Sequence, residues 1–198
     1  MSSPAAFQRN ARKFNDYLSS RLTKTVTEHP LRPLFRPRTR PQAAFISFRG
    51  GEHFGDSPSV ELGNGCHIQV SQIVLPNPQE PSGVTTAYYS YSYALSSNID
   101  EDWILRYDYV PGKAADPEYN YPVAHVHFNG TSAAYDGFYM PGKRPLYKLH
   151  CPTERIAIES FIEHLIIELK VPTHGDRDEA LAFLAESRRE FHEKLRTK

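Results

Sequence analysis

The sequence predicts an α+β fold, an antiparallel sheet of about five strands covered on one face by helices. Three observations carry this reading. Apolar residues recur every three or four positions near the N-terminus and in the C-terminal third; between them they alternate with period two; and Gly and Pro clusters separate the alternating runs. With 198 residues, 39% hydrophobic and 23% charged, the chain suits one main core and excludes wholesale disorder.

Phe7, Ala11, Phe14, Leu18 and Leu22 define an amphipathic helix from about Ala5 to Lys24. Pro30, Pro33, Pro37 and Pro41 forbid its continuation, so Leu31 to Gln42 is expected as an extended Pro/Arg linker strapped over the surface. This divides the chain into residues 1–42, a basic helix and linker, and residues 43–198, an α+β domain. Strands are predicted over Ala43–Arg49, Cys66–Leu75, Thr85–Leu95, Trp103–Val110 and Tyr121–Asn129, in a sheet covered on one side only. Ile158, Phe161, Ile162, Leu165 and Leu169 then form one face of a core helix that begins at an N-cap Thr153 and stops before Pro172. Asp176 and Glu179 signal the start of a last helix reaching about Arg196. Its seam of Leu181, Leu184, Phe191 and Leu195 can dock on the body or on a second copy, making the terminal helices a candidate homo-oligomer contact.

Period two also sorts the polar residues. Trp103, Leu105, Tyr107 and Tyr109 share one face of their strand and leave Arg106 and Asp108 on the other; Ala124, Val126 and Phe128 oppose His125 and His127 in the next. A simple hairpin brings Arg106 near His125 and gathers Arg106, Asp108, His125 and His127 into one cluster. The apolar face is expected beneath the core helix, and the cluster on the opposite side, in a groove open to solvent.

Such a cluster supports two chemistries. Histidines exchange protons near neutral pH while arginine binds a phosphate, the minimum equipment for metal-independent RNA cleavage, with His125 and His127 as acid and base, Arg106 as phosphate binder and Asp108 beside them. Alternatively His125, His127 and Asp108 chelate a metal, since imidazole and carboxylate suit zinc, manganese or non-haem iron. The bland account is a set of partly exposed sheet residues with Arg106 paired to an acid. A second polar run, Leu149-His-Cys-Pro-Thr-Glu-Arg155, precedes the core helix, where backbone N–H groups, Thr153 and Arg155 can meet an anion; the plain alternative is capping plus an Arg155–Glu159 pair. His164, inside the core helix, is expected as a packed or surface histidine rather than a catalyst, and His53 and His67 have no evident companions. Cys66 and Cys151 match no zinc or redox spacing and are expected in the core or half-buried.

The formal charge is zero, but residues 1–50 hold ten basic residues against two acidic ones, leaving thirteen against twenty-one in the remainder. A basic arm suits a nucleic acid, with Arg32, Arg36, Arg38 and Arg40 adding non-specific affinity, or an acidic partner protein, or the acidic body itself. A non-enzymatic interaction module built on that arm is the competing functional class. No apolar run approaches a membrane span and Met1–Asn10 lacks a signal-peptide core, so a cytoplasmic protein with no membrane partner is expected.

Arg106-Tyr-Asp108, then Pro122 and His125-Val-His127, then a closing helix distantly resembles small bacterial proteins of the TumE type, the toxins of toxin–antitoxin modules, over about 25 residues. The resemblance implies a toxin acting on nucleic acid, neutralised by an antitoxin partner. The basic arm and Pro/Arg linker are additions to that pattern.

Overall fold

In the computed structural model, which describes residues 4–35, 43–48, 58–76, 90–96, 103–110, 122–128 and 151–196, helices lie on one face of a single antiparallel sheet. The elements are α1 (Pro4–Thr23), β1 (Leu31–Phe35), β2 (Ala44–Phe48), β3 (Val60–Glu61), β4 (His67–Val74), β5 (Ser90–Ser96), β6 (Leu105–Tyr109), β7 (Ala124–Phe128), β8 (Cys151–Pro152), α2 (Ile158–Ile167) and α3 (Arg177–Arg196). Each predicted strand is present, and β1, β3 and β8 bring the described strands to eight. Their order is β1-β2-β4-β5-β6-β7-β8, with β3 also pairing β4.

One face of this meander is apolar because the register aligns like with like. Ala44 lies opposite Val74, Ile68 opposite Leu95, Leu95 opposite Leu105, and Tyr107 opposite Val126. Onto that face α2 lowers Ile158, Phe161, Ile162, Leu165 and Ile166, each exposed by 2% or less. The Tyr107 ring meets Phe161 edge-on at 6.2 Å between centroids and His164 at 6.4 Å. Helices cover one face only, as expected; on the other, Phe45, Ser47 and Ala94 are buried while Gln69, Ser71 and Ile73 stay half-buried.

The Pro/Arg stretch is not simply a strap. Leu31–Phe35 pairs with β2 from Leu31–Phe48 to Phe35–Ala44, so the division expected at residue 42 falls between two paired strands; residues 36–42 lie outside the described set. Nor is α1 an appendage, because Phe7, Ala11, Leu18 and Leu22 are buried in the same core as the sheet. Two polar bonds fasten it to β1: Asn15 Nδ2 donates to the Leu31 carbonyl at 3.1 Å, and the Leu31 N–H donates to Ser19 Oγ at 3.0 Å. A helix that places leucines at three- and four-residue spacing over an edge strand buries them there, whatever the charge on its outer side.

The core helix starts later than expected. Thr153 donates its N–H to the Ala124 carbonyl at 3.1 Å, which keeps the chain extended, and α2 begins at Ile158 after Ala157, with no side-chain cap. It ends at Ile167, and the chain turns away at a left-handed Lys170, φ 55°, after which Val171 N–H reaches back to the Leu165 carbonyl at 3.1 Å. Asp176 does cap the last helix, its Oδ1 accepting from the N–H groups of Asp178 and Glu179 at 2.9 Å each. The α3 seam docks on the body: Leu184 is fully buried and Leu181 packs on the core, while the side chains of Phe191 and Leu195 lie outside the described set.

A buried carboxylate joins the three helices. Glu159 accepts from Tyr17 Oη at 2.5 Å and Ser187 Oγ at 2.6 Å, and Arg21 Nε lies 3.6 Å away. The expected Arg155–Glu159 pair does not form, since Glu159 points into this network and the Arg155 guanidinium lies 5.0 Å over the Tyr109 ring. Cys66 is half-buried, whereas Cys151 is exposed rather than in the core. No helix among the described residues is long and apolar enough to cross a membrane.

If α1 belongs to the core, Leu22→Ala will cost about 2–5 kcal/mol in urea unfolding, the range for a buried leucine; an unchanged midpoint would return α1 to the status of a detachable arm. Burial, with Glu159 beside it, raises the Tyr17 phenol well above the ordinary tyrosine range, and burial raises Tyr107 as well. The unfolded chain ionises these groups first, so their stabilisation is intact below about pH 10 and declines as pH rises through the alkaline range. Urea midpoints for wild type and Tyr17→Phe will therefore diverge less above about pH 10 than at neutral pH.

Candidate active site

Strands β6 and β7 pair over their full length, with Arg106 opposite His127 and Asp108 opposite His125. The expected pairing of Arg106 with His125 is thus displaced by two residues, which preserves the face and keeps all four side chains together. With Tyr107 held under α2, the pleat turns Arg106, Asp108, His125 and His127 to the other side of the sheet.

Asp108 Oδ2 is the hub. Arg106 donates to it from Nε and Nη2, both at 2.9 Å; His127 Nε2 lies 3.1 Å from it and His125 Nε2 3.7 Å. Arg106 Nη2 is also 3.3 Å from His127 Nε2. A guanidinium only donates and a carboxylate only accepts, so this nitrogen has two roles: unprotonated it accepts from Arg106, protonated it donates to Asp108. His127 can therefore exchange a proton without leaving its place. His125 is fixed differently, by a 2.5 Å contact between Nδ1 and the Pro122 carbonyl. A carbonyl only accepts, so Nδ1 carries the proton and Nε2 of the neutral ring offers a lone pair toward the hub.

The two imidazoles stand edge to face, 4.7 Å between centroids. Trp103 completes the group, its ring 5.6 Å from His127 and 4.6 Å from the Arg106 guanidinium carbon. Period two assigned Trp103 to the apolar face. It is displaced because β6 starts only at Leu105, after a bend at Ile104 whose N–H bonds the Leu95 carbonyl at 2.6 Å. Strand parity does not extend across a bend. Phe128, expected inside, is 46% exposed at the end of β7.

The groove expectation is half right. The cluster lies on the face away from α2, but His125 and His127 are 2% and 5% exposed. Solvent meets the centre mainly at Arg106, whose side chain is 31% exposed, against 12% for Asp108. The burial cannot come from α2, which is on the opposite face.

The other candidate residues divide by face. The register carries one row across the sheet, Arg32 opposite Ser47, Ser47 opposite Ser71, Ser71 opposite Ser92, Ser92 opposite Asp108, and Asp108 opposite His125. Arg32 is thus on the site's face, four strand spacings or about 19 Å from Asp108. Arg155 stacks on Tyr109, which has the parity of the helix face, and does not join the cluster. Arg36, Arg38 and Arg40 lie outside the described residues, as do His53 and His150. The residues that the sequence reading missed are Trp103 as a wall of the site and the Pro122 carbonyl as the anchor of His125; the Pro122–His125 spacing was the available signal for the second.

Nitrogen-detected NMR of the imidazoles checks this assignment. Neutral His125 will show a protonated Nδ1 and an unprotonated Nε2, and a spectrum with the proton on Nε2 would break the Pro122 anchor. Asp108→Ala removes the acceptor shared by Arg106 and His127, and is expected to cost about 1–3 kcal/mol of folding stability.

Comparison with known proteins finds no family model, no curated protein and no solved structure that matches this chain.

Proposed function

We propose that the protein is directed at nucleic acid, in the manner of a toxin or host-defence protein, and cleaves RNA at the centre formed by Arg106, Asp108, His125 and His127. The observation that carries this reading is the meeting of the Arg106 guanidinium and the His127 Nε2 on one oxygen of Asp108. A phosphate presents the same kind of oxygen. Arriving at the exposed edge of Arg106, it takes the guanidinium hydrogen bonds now given to Asp108, next to the His127 Nε2 that lies 3.3 Å from the same guanidinium.

In this reading His127, beside Arg106, acts as the base. It removes the proton of the ribose 2′-hydroxyl as the 2′-oxygen forms a bond to phosphorus. The bond from phosphorus to the 5′-oxygen breaks, and His125, entering the reaction protonated on Nε2, supplies the proton to that leaving oxygen. The products are a 2′,3′-cyclic phosphate and a free 5′-hydroxyl; the proton gained by His127 and lost by His125 balances through solvent. Arg106 neutralises the phosphate, and Asp108 orients His127 and stabilises its cation. Arg32, on the same face, supplies sequence-independent affinity for the polyanion, while Arg9, Arg12 and Lys13, on the exposed side of α1 and so on the helix face, offer a contact for an acidic antitoxin-like partner.

Expression of the wild-type chain is expected to arrest growth of a bacterial host and fragment its RNA, while His125→Ala combined with His127→Ala restores both. In purified protein each single alanine should slow cleavage by about 10²–10⁴-fold, the usual contribution of a general acid or base. Equal growth and equally intact RNA for wild type and double variant would overturn the proposal.

A further inference from the structure

The geometry points to a binding site for one divalent transition-metal ion, held by Asp108 Oδ2, His125 Nε2 and His127 Nε2. One donor atom from each of the three residues lies within 4.8 Å of the other two. Zinc bonded at about 2.0–2.1 Å in a tetrahedral site sets its ligands about 3.3 Å apart. The carboxylate oxygen is already 3.1 Å from one imidazole nitrogen and 3.7 Å from the other, so small side-chain rotations gather the set.

Three features favour an ion over a chance grouping. His125 is prepared as a ligand: its Nδ1–H is held by the Pro122 carbonyl, the outer-shell bond that fixes the tautomer of metal-binding histidines and leaves Nε2 to face inward. All three ligands stand on adjacent, fully paired strands, which holds them more rigidly than a loop does. Two imidazoles with one carboxylate also form a donor set suited to zinc, cobalt or iron(II), with coordination positions left over for water or substrate.

Arg106 is the opposing element. Its Nη2 lies 3.3 Å from His127 Nε2, where it meets the lone pair that an ion requires. Loading therefore turns the guanidinium away from His127 toward Trp103, whose ring it already covers, while it remains the outer partner of Asp108. The site does not depend on the RNA reading. It has a consequence for it, however, because a nitrogen that holds an ion cannot also carry a proton, so zinc occupancy suppresses cleavage by the metal-free route.

The test uses the full chain purified without an affinity tag and stripped with a chelator, then titrated with zinc by calorimetry and with cobalt by visible absorption. The expected result is one ion per chain at micromolar or lower concentration, with the absorption of tetrahedral or five-coordinate cobalt, weakened at least about 10-fold in both His125→Ala and Asp108→Asn. His174→Ala, at an exposed histidine, should bind as wild type does. Absence of stoichiometric binding to the wild-type chain overturns the inference, even if the variants do not fold. Binding that persists unchanged in both folded ligand variants overturns it as well. RNA cleavage measured on the same stripped samples separates the two proposals: cleavage without metal binding refutes the metal site alone, and binding without cleavage under any metal condition refutes the nuclease alone.

Discussion

Tyr107 against Phe161 is the contact on which the rest of the arrangement depends. One aromatic ring of β6 pressed against α2 fixes which way the strand faces. Once Tyr107 is inside, the pleat places Arg106 and Asp108 outside that core, and pairing with β7 makes the same division for Val126 against His125 and His127. A slip of one residue would drive two charged side chains into the apolar layer. The polar centre is therefore specified by hydrophobic packing on the opposite face, and the residues that do the chemistry contribute little to choosing their own position.

That dependence explains what was legible from sequence. Alternation along Trp103–Val110 and Tyr121–Asn129 needs only neighbouring residues, so the strands, their faces and the company of the four polar side chains could all be read. The starting point of a strand could not. Trp103 obeys the alternation on paper, yet a bend at Ile104 removes it from the pattern and stands it against His127. The depth of His125 and His127 was equally hidden, because alternation along a strand sets the face a side chain takes and not how far that face is covered. Glu159 shows the same limit in a helix: its near neighbour Arg155 suggested a local pair, but its partners are Tyr17, Arg21 and Ser187, brought in from two other helices.

The N-terminal segment combines two roles that composition alone sets against each other. Its surplus of arginine and lysine suggested an arm reaching for an acidic partner, while its leucines and Phe7 belong to the core. Both hold, on different sides of one helix. Arg21 shows the acidic body claiming part of the basic surplus, since it is stacked 3.7 Å over Tyr17 and directed at buried Glu159. Arg9, Arg12 and Lys13 remain on the outside. Because α1 carries core residues, a truncation that removes the basic surface also opens the fold, so charge reversals at those three positions isolate the electrostatic contribution where deletions cannot.

Proline in β1 first looked like the mark of a linker, and its position at the end of the sheet gives it another meaning. Among the described residues the sheet terminates on β1 and β8, and each of these strands contains a proline, Pro33 in one and Pro152 in the other. A proline offers no N–H to an incoming strand, so neither end presents an uninterrupted row of donors on which another chain could lay itself down. The composition that made this segment hard to recognise as a strand thus makes both end strands, among the described residues, poor templates for edge-to-edge pairing.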